Sequence, residues 1–288
     1  MFTLTKLKQE KEFIADMGEI IDTFKVAALI QFRIFQGRKH TDNNFLEELE
    51  RCFDLLRLFP SKDKKTSSSL SQRTIVAITS DEGFLGELNT LIINAALDRR
   101  SSAEDRIIVL GDVGARYMEN IKQPFVYFSG VSDDLDYGYV ERLRRYLLSG
   151  FDEHFAALDV VYPRFISLTE QRITTIHLLP YSPEAGRSST GIRREEIMFG
   201  SSLKNLIRSI EGLLLGFRLS EIFSSAKQSE YAARIMHLEG SSEEISHLRQ
   251  RLNLSYFKQV HSLSDKSIRE ISAAKVMLRK GNVRYRNV

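Results

Sequence analysis

The string from Thr79 to Asn89, Thr-Ser-Asp-Glu-Gly-Phe-Leu-Gly-Glu-Leu-Asn, is the best candidate in this sequence for a phosphate-binding loop. It follows an apolar β-branched run and opens a helical stretch, and N–H groups at a helix N-terminus bind anions. However, Gly83-x-x-Gly86 lacks the third glycine of the dinucleotide fingerprint and the Gly-Lys-Ser/Thr of a P-loop. Its carboxylates would also repel phosphate. We therefore predict a tight turn in which Asp81 caps the following helix, and no nucleotide site.

Metal-binding and nucleophilic residue types are scattered rather than grouped in this sequence. The six histidines include no pair four residues apart, and Cys52 is the single cysteine, so a zinc site is not predicted. Asp133, Asp134 and Asp136 precede a helical stretch, where carboxylates suit the positive end of the helix dipole. No Gly-x-Ser-x-Gly elbow is present. The sequence thus predicts no catalytic residue, no metal ligand and no cofactor.

The composition is that of an ordinary globular protein. The 288 residues are 42% hydrophobic and 27% charged, which excludes wholesale disorder. Lys and Arg number 41 against 38 Asp and Glu, and this net charge of +3 gives no reason to predict nucleic-acid binding. No apolar run approaches the roughly 20 residues that span a bilayer. We expect neither lipid insertion nor export, because no signal peptide is recognisable.

The prolines separate two kinds of sequence. All five lie between residues 60 and 183, so the flanking stretches can form long helices, which an interior proline disfavours by about 3 kcal/mol. The middle alternates β-branched runs with helical stretches. Strands are predicted at 74–79, 106–110, 125–128, 158–162 and 172–178, and helices at 85–98, 113–121 and 137–155. This alternation predicts a Rossmann-like α/β domain with a mainly parallel sheet, inserted between two helical arms.

The head of the chain has coiled-coil spacing. Steps of four and three residues connect Phe13, Met17, Ile20, Phe24, Ala27, Gln31 and Ile34. A flanking row widens this apolar stripe, so that it can pack against more than one surface. The row consists of Ile14, Ile21, Ala28 and Phe35. A second helix is predicted at 43–58.

The tail has the same spacing over four heptads. Its seam positions are Ile235, Leu238, Ser242, Ile245, Arg249, Leu252, Tyr256, Gln259 and Leu263. One helix over the tail would be about 120 Å long and would contain several glycines, so we expect a break before Phe217. The two stripes fit either the core-facing helices of a bundle or a terminal coiled coil, and their periodicity leaves both open.

Basic side chains crowd the end of the head helix and the last ten residues. They are Arg33, Arg38, Lys39 and His40, and Arg279, Lys280, Arg284 and Arg286. Such runs are commonly solvated surface, and the alternative is a basic tip that enters an acidic cavity of a partner. A polar, Ser-rich stretch at 62–72 predicts a linker. The chain therefore divides into an N-terminal helical arm (1–59), a linker (60–72), an α/β domain (73–190) and a C-terminal helical arm (191–288).

Separated motifs, in the same order along the chain, resemble the gamma subunit of F-type ATP synthases. The segment 20–33 aligns without a gap to the family pattern Ile-Thr-Lys-Ala-Met-Lys-Met-Val-Ala-Ala-Ala-Lys-Leu-Arg. Segment 79–89 is similar to Thr-Ser-Asp-Arg-Gly-Leu-Cys-Gly-Gly-Leu-Asn, and segment 229–236 to Ser-Glu-His-Ala-Ala-Arg-Met. Segment 252–256 is similar to Leu-Thr-Leu-x-Tyr. The resemblance covers nearly the whole chain.

Departures from the family pattern indicate a divergent member. Val260 and His261 replace the family's Arg-Gln, and 264–268 replaces its Ile-Thr-x-Glu-Leu, so the usual contact of this stretch with the catalytic subunits is in question. Residues 279–288 extend past the family's usual end. An alternative or sodium-type branch of the family is therefore left open.

The resemblance implies an α/β fold with long helical arms, in which the terminal helices pair as an antiparallel coiled coil and the inserted domain forms a foot. It implies a non-catalytic rotor shaft that transmits torque between ATP synthesis or hydrolysis and ion translocation. The implied partners are the alpha and beta subunits of the catalytic ring, the epsilon subunit and the membrane rotor ring. The implied location is the cytoplasmic face of the inner membrane, as a peripheral part of the complex.

The same resemblance assigns residues to two surfaces. Contacts with the catalytic ring are implied for Phe24, Lys25, Val26, Arg33, Lys258 and His261. A structural motif of the foot is implied for Ser80, Asp81, Gly83, Gly86 and Asn89. Two other functions stay open on the sequence: a stand-alone coiled-coil scaffold with an α/β module, and a Rossmann-like enzyme that binds a nucleotide or another small ligand.

Overall fold

The computed structural model describes residues 4–37, 43–57, 72–134, 136–151, 155, 157–181 and 202–284. Its helices are α1 (Leu4–Gly37), α2 (Asn43–Arg57), α3 (Leu88–Asp98), α4 (Asp112–Asn120), α5 (Tyr137–Phe151) and α6 (Leu203–Arg284). Its strands are β1 (Arg73–Ile78), β2 (Arg106–Leu110), β3 (Val126–Phe128), β4 (Ala157–Phe165) and β5 (Gln171–Leu179). Each strand and helix predicted for the middle of the chain is present, with ends that differ by a few residues.

The five strands form one mixed sheet in the order β3-β2-β1-β4-β5. The first four are parallel, and β5 runs antiparallel to β4. Val76 of the central strand β1 pairs with Ile108 on one side and with Val160 on the other. The apolar, β-branched sequence of these strands suits a position that is covered on both faces. The predicted α/β class with a mainly parallel sheet is confirmed.

Alternate residues of the strands enter two separate cores, as the two-residue period of a strand requires. Val76 and Ile78 pack with Leu143 and Leu147 of α5 and with Phe223 of α6. The other set of alternate strand residues points to the opposite face of the sheet and packs against α3 and α4. That second core includes Ile75, Ala77, Ile107, Val109, Ile92, Ile93 and Met118. Helices therefore cover both faces of the sheet.

The chain divides into two compact units. The first, here called the helix-pair unit, consists of Met1–Val26 and Leu238–Val288, and the second, here called the sheet unit, consists of Ala27–His237. Within the described residues, no helix is long and apolar enough to cross a membrane. The predicted boundaries of the linker and of the α/β domain, at residues 59–72 and 190–191, lie in or beside segments outside the described residues.

The helix-pair unit has antiparallel geometry, because contacts move backward along α6 as they move forward along α1. Lys11 lies over the ring of Tyr256 at 4.8 Å, and an added Cβ on Gly18 would lie 3.5 Å from Ile245. Farther along, Ser242 donates a hydrogen bond to Asp22 at 3.2 Å, and Lys25 forms an ion pair with Glu239. The predicted antiparallel coiled coil is therefore confirmed.

The phase of the predicted α1 seam is wrong by one position. Phe13 and Phe24 are 61% and 48% exposed, and Ile20 and Ile34 are also exposed. The less exposed face contains the row that we expected only to flank the seam, and it begins at Leu7. Its other apolar members are Ile14, Ile21, Ala28 and Phe35. The tail seam has the predicted phase, since most of its positions are buried or half-buried, although Arg249 and Leu263 are exposed.

The predicted break in the tail is also wrong, because α6 continues without interruption for 82 residues. The two glycines nearest the expected break accommodate a neighbouring helix instead. A Cβ added at Gly212 would lie 2.8 Å from the guanidinium of Arg144, and one at Gly216 would lie 3.2 Å from the Arg144 side chain. Glycine here allows α5 to approach α6 closely, and the hydrogen bonds of the helix are kept.

Helix α2 packs against the first part of α6 within the sheet unit. Leu49 and Phe53 bury their side chains against Leu214. Arg218 of α6 donates to the carboxylate of Glu50 at 2.6 Å. This apolar contact and the ion pair fix the helix predicted at 43–58.

Candidate functional site

The loop that follows β1 contains the string 79–89, and its backbone is a tight turn. Phe84 has φ of 63° and Gly86 has φ of 57°, both in the left-handed region that bulky residues rarely adopt. Phe84 is 51% exposed. Gly86 lies against α6, since an added Cβ would be 3.4 Å from the ring of His237. The predicted turn is confirmed.

Asp81 does not cap the helix that follows it, which corrects our prediction. Helix α3 begins at Leu88, and its N-cap position, Glu87, makes no side-chain capping bond. Instead, Asp81 Oδ1 accepts the backbone N–H of Asp112 at 3.0 Å and that of Gly130 at 2.9 Å. The carboxyl ends of parallel strands meet at one edge of a sheet, so Asp81 lies nearer to the loops after β2 and β3 than to α3.

Ser80 and Asn89 close the base of this loop through buried hydrogen bonds. The Ser80 backbone N–H donates to Asn89 Oδ1 at 3.1 Å, and Asn89 Nδ2 donates to Ser80 Oγ at 2.9 Å. Ser80 Oγ also donates to the carbonyl of Glu82 at 2.7 Å. The structure thus brings together Ser80 and Asn89, while Asp81 and Gly86 anchor the same loop to its surroundings. Gly83 has open space around its Cα, and its carbonyl accepts from Arg234 at 3.4 Å.

The loop contacts a stretch of α6 with buried charges. Arg234 is buried, and its Nη2 lies 2.8 Å from Glu230 and 3.3 Å from Glu82. Two turns earlier on α6, Lys227 is also buried, and its Nζ lies 3.0 Å from Glu230 and 3.2 Å from Asp133. Two of the segments that resemble the family pattern, 79–89 and 229–236, are therefore in direct contact.

Tyr231 lies among these charges and connects them to α1 within the sheet unit. Its ring is stacked on Phe35 with centroids 5.8 Å apart, and Arg234 and Lys227 approach the ring to 5.1 Å and 5.7 Å. Burial raises the pKa of the Tyr231 phenol, and its hydrogen bond to Asp133 raises that pKa further. The Tyr231 phenol therefore stays neutral and donates a hydrogen bond to the carboxylate of Asp133.

The space beside this loop does not fit a nucleotide. The gap between Thr79, Asn89 and α6 has a volume of about 10 Å³, which is near the lower limit for one water molecule. The charges closest to the loop include Glu82 and Glu230. In the described part of the chain, no group of three or more His, Cys, Asp or Glu residues could hold a metal ion. Hydrogen bonds and ion pairs to neighbouring segments hold the loop in place.

A second charged cluster lies at the opposite edge of the sheet, around Asp159, whose side chain is fully buried. Asp159 accepts from Arg99 at 2.8 Å and from Arg73 at 3.1 Å, and it lies 2.7 Å from His177 Nδ1. Burial acts to raise the pKa of Asp159, but its hydrogen bonds and the nearby arginines hold that pKa below its usual value. This cluster ties α3, β1, β4 and β5 together.

The residues implied as contacts with a catalytic ring lie mostly on exposed helix surface. Phe24 and Val26 on α1, and Lys258 and His261 on α6, are exposed in the helix-pair unit. Lys25 is half-buried in its ion pair with Glu239. Arg33 is exposed on the part of α1 that belongs to the sheet unit. Arg38, Lys39, His40 and Arg286, and the side chains of Arg279, Lys280 and Arg284, lie outside the described residues.

Sequence reasoning missed Lys227 and Asp133 as partners. Lys227, Glu230 and Arg234 are spaced three and four residues apart, which places them on one face of α6. This spacing was a signal, but it usually indicates solvated helix surface. Nothing in the sequence pairs Lys227 with Asp133, because 94 residues separate them and the sheet topology brings them together.

A family model described as ATP synthase matches residues 3–274 of the chain. The ATP synthase gamma chain of Geotalea daltonii is 22% identical over 267 residues, which cover 89% of this chain and 92% of the relative. The gamma chain of Staphylococcus haemolyticus is 25% identical over 260 residues, which cover 83% and 87%.

Solved structures of ATP synthases have a similar fold. A chain from the OSCP/F1/c-ring structure of the Euglena gracilis mitochondrial ATP synthase superimposes with a TM-score of 0.74 at 16% identity, covering 97% of this chain and 95% of that one. A chain from the central stalk and c-ring of the Tetrahymena thermophila mitochondrial enzyme has a TM-score of 0.57 at 15% identity, covering 77% and 99%. Because the ATP synthase model covers nearly the whole sequence and these relatives are gamma chains, this chain belongs to the gamma-subunit family of ATP synthases.

Proposed function

We propose that this chain is the central rotor shaft of a rotary F-type ATP synthase or ATPase. It transmits torque between ATP synthesis or hydrolysis on a catalytic ring and ion translocation through a membrane ring. The observation that carries the proposal is the antiparallel pairing of α1 with the C-terminal part of α6 in a chain of the gamma-subunit family. The shaft itself is non-catalytic, and ATP chemistry belongs to the ring around it.

The similar structures are described as F1/c-ring and central stalk assemblies, and these names support the choice of partners. We infer that the helix-pair unit contacts the alpha and beta subunits of the catalytic ring. The sheet unit is then the foot, which meets the epsilon subunit and the membrane rotor ring. The chain lies at the cytoplasmic face of the inner membrane as a peripheral part of the complex.

The surface chemistry of the helix-pair unit suits rotation. A shaft must occupy several angular positions of similar free energy, because one much tighter position would stop the motion. Exposed apolar side chains such as Phe24 and Phe257 alternate with charged ones such as Lys258, which provides many weak contacts. Among the proposed ring contacts, we expect the smallest contribution from Lys25, since Glu239 already holds its ammonium group.

Two experiments test this function. Co-expression with catalytic subunits should give a complex in which two larger subunits are in threefold excess over this chain. In a Cys52→Ser background, Lys258→Cys should form a disulfide with a cysteine introduced on the facing surface of a catalytic subunit when an oxidant is added. This disulfide should stop ATP hydrolysis until a reductant is added. A fixed scaffold would keep its hydrolysis rate when cross-linked.

The shaft geometry has its own test within the chain. Asp22→Cys combined with Ser242→Cys should form a disulfide readily, because these side chains are in hydrogen-bond contact. Phe13→Cys with Ser242→Cys is the matched control and should not, since residue 13 is opposite a later turn of α6. Efficient α1–α1 cross-links between chains, with no binding to a ring, would favour the stand-alone scaffold.

A further inference from the structure

Three charged residues of α6 form a line that is buried within the sheet unit. Lys227, Glu230 and Arg234 are each less than 9% exposed, and Glu230 accepts from both cations, at 3.0 Å and 2.8 Å. We call them the charge ladder. Buried charges of this kind cost free energy unless they are paired, so their partners are informative.

The two cations of the charge ladder reach different loops at the same edge of the sheet. Lys227 contacts Asp133 at 3.2 Å, in the loop between β3 and α5. Arg234 contacts Glu82 at 3.3 Å and the carbonyl of Gly83 at 3.4 Å, in the loop between β1 and α3. One helix face therefore holds two loops that belong to different βα units.

The two loops are also connected to each other. Asp81 accepts the backbone N–H of Gly130 at 2.9 Å, and this approach is so close that a Cβ on Gly130 would lie 2.6 Å from the Asp81 carboxyl group. The contacts thus form a closed circuit from α6 through Asp133, the two loops and Glu82 back to α6. A displacement of either loop along α6 would strain several of these bonds at once.

We propose that Lys227 is a positioning residue for torque transmission: with Glu230 and Arg234 it fastens both loops to α6, so that the sheet unit and α6 turn together. This inference rests on the proposed rotor function. Apolar packing gives adhesion without direction, whereas charge-assisted hydrogen bonds fix both distance and orientation. The apolar contacts of α6 with the sheet supply stability, and the charge ladder supplies the resistance to sliding.

Tyr231 sets the spacing of the charge ladder. Its ring lies between Lys227 and Arg234, within 5.7 Å and 5.1 Å of their charged groups, and it is stacked on Phe35. Its hydroxyl group donates to Asp133, the carboxylate that also binds Lys227. Asp133 is therefore held from two sides, which leaves the loop after β3 little freedom to leave α6.

The test uses the assembled complex in sealed vesicles, with ATP hydrolysis, ATP-driven ion uptake and amide exchange of the two loops as readouts. Lys227→Met removes the ammonium group and keeps an unbranched stem. We expect ion uptake per ATP hydrolysed to fall by at least about twofold, with faster exchange at residues 80–87 and 129–134. The variant chain should still co-purify with the catalytic ring, and this ring should still hydrolyse ATP after it is detached from the membrane. Lys227→Arg should restore ion uptake.

Arg172→Met is the matched control, since Arg172 forms an exposed ion pair with Glu170 in the same unit and should leave uptake unchanged. Faster loop exchange with normal uptake per ATP would overturn the proposal, because the charge ladder would then only stabilise the fold. If Lys227→Met fails to assemble, Asp133→Asn replaces it, and normal uptake in that variant overturns the proposal equally. Failure of the rotor function itself is distinguishable, because the unaltered chain would then not support ATP-driven uptake.

Discussion

The two units of this chain are stabilised by different kinds of contact. In the sheet unit, strand residues such as Ile75 and Val109 have no exposed surface, and helices cover both faces. In the described part of the helix-pair unit, only Leu7 and Leu238 are buried. Between the two helices lies a groove of about 660 Å³, whose lining includes Gly18 and Ser242. The sheet unit thus has its own apolar core, while the helix pair has a loosely packed, polar seam.

The difference in packing matches two requirements of a rotor shaft, a rigid foot and a helix pair that can turn. A foot that receives force must keep its shape, and close-packed apolar cores give that rigidity. Under the proposed function, the helix pair turns inside a ring, and we expect contacts with that ring to add to its stability. The comparison therefore predicts that equal substitutions have unequal effects in the two units.

The sharpest test uses two phenylalanines of the same helix. Phe223→Ala should lower the free energy of unfolding of the sheet unit by about 3–5 kcal/mol, because Phe223 is fully buried against the sheet. Phe257→Ala, at a position 56% exposed in the helix-pair unit, should lower the free energy of unfolding of that unit by less than about 0.5 kcal/mol. Urea unfolding followed by amide exchange of β1 and β4 measures the first loss, and exchange of α1 residues 4–26 measures the second. Similar losses for the two variants would remove the distinction between the units.

A smaller effect is expected at the loop after β1. Asp81→Ala should destabilise the sheet unit by about 1–2 kcal/mol, because two backbone N–H groups lose a charged acceptor that water only partly replaces. Asp81→Asn keeps one acceptor oxygen and should cost less, as the same unfolding measurement can show. ATP hydrolysis by the assembled ring should survive Asp81→Ala. Its complete loss would mean that this loop belongs to a catalytic site.

Acid should weaken the sheet unit before the helix pair. Burial acts to raise the pKa of Asp105, but backbone hydrogen bonds from Arg73, Ser101 and Ser102 hold it below the usual value, as partners also do for Asp159. A lowered folded-state pKa stabilises the fold above the unfolded pKa, near 4, and this stabilisation is lost as the pH falls. Each such group gives a slope of at most about 1.4 kcal/mol per pH unit. Asp105→Asn should flatten the fall in stability measured below pH 4, and an unchanged slope would contradict the assignment.

The smallest effect is expected in the helix pair. Lys25→Met should change the stability of the pair by about 0.2–1 kcal/mol, because the ion pair with Glu239 is partly exposed to solvent. The difference should shrink in high salt. A double-mutant cycle with Glu239→Gln, measured by the melting of α1 at two salt concentrations, isolates the interaction. A coupling free energy well above about 1 kcal/mol that does not change with salt concentration would contradict this prediction. It would show that the ion pair stabilises the helix pair more than its solvent exposure indicates.

Much of the fold could be predicted because the middle of the chain has local signals. Short β-branched apolar runs such as 106–110 strongly favour a strand that is covered on both faces, and β2 lies there. The phase of α1 could not be predicted, since Phe24 and Ile34 are more apolar than Gly18 and Lys25, which lie on the less exposed face. The glycines of the tail predict a break in α6, yet Gly212 makes room for Arg144 of α5. A close approach between two helices cannot be recognised from the sequence of one of them. The Asp81 contacts likewise depend on loops that are distant in sequence.

The antiparallel register also determines the order in which this chain can fold during synthesis. Asp22 and Ser242 touch although 220 residues separate them, so α1 emerges from the ribosome long before its partner exists. At a synthesis rate of roughly 5–20 residues per second, about 10–45 s pass between the synthesis of Asp22 and that of Ser242. The sheet strands, which all lie between residues 73 and 179, can pair during that interval. The side chains of α1 that face α6 in the folded chain therefore stay without these partners until the C-terminal part of α6 has been made.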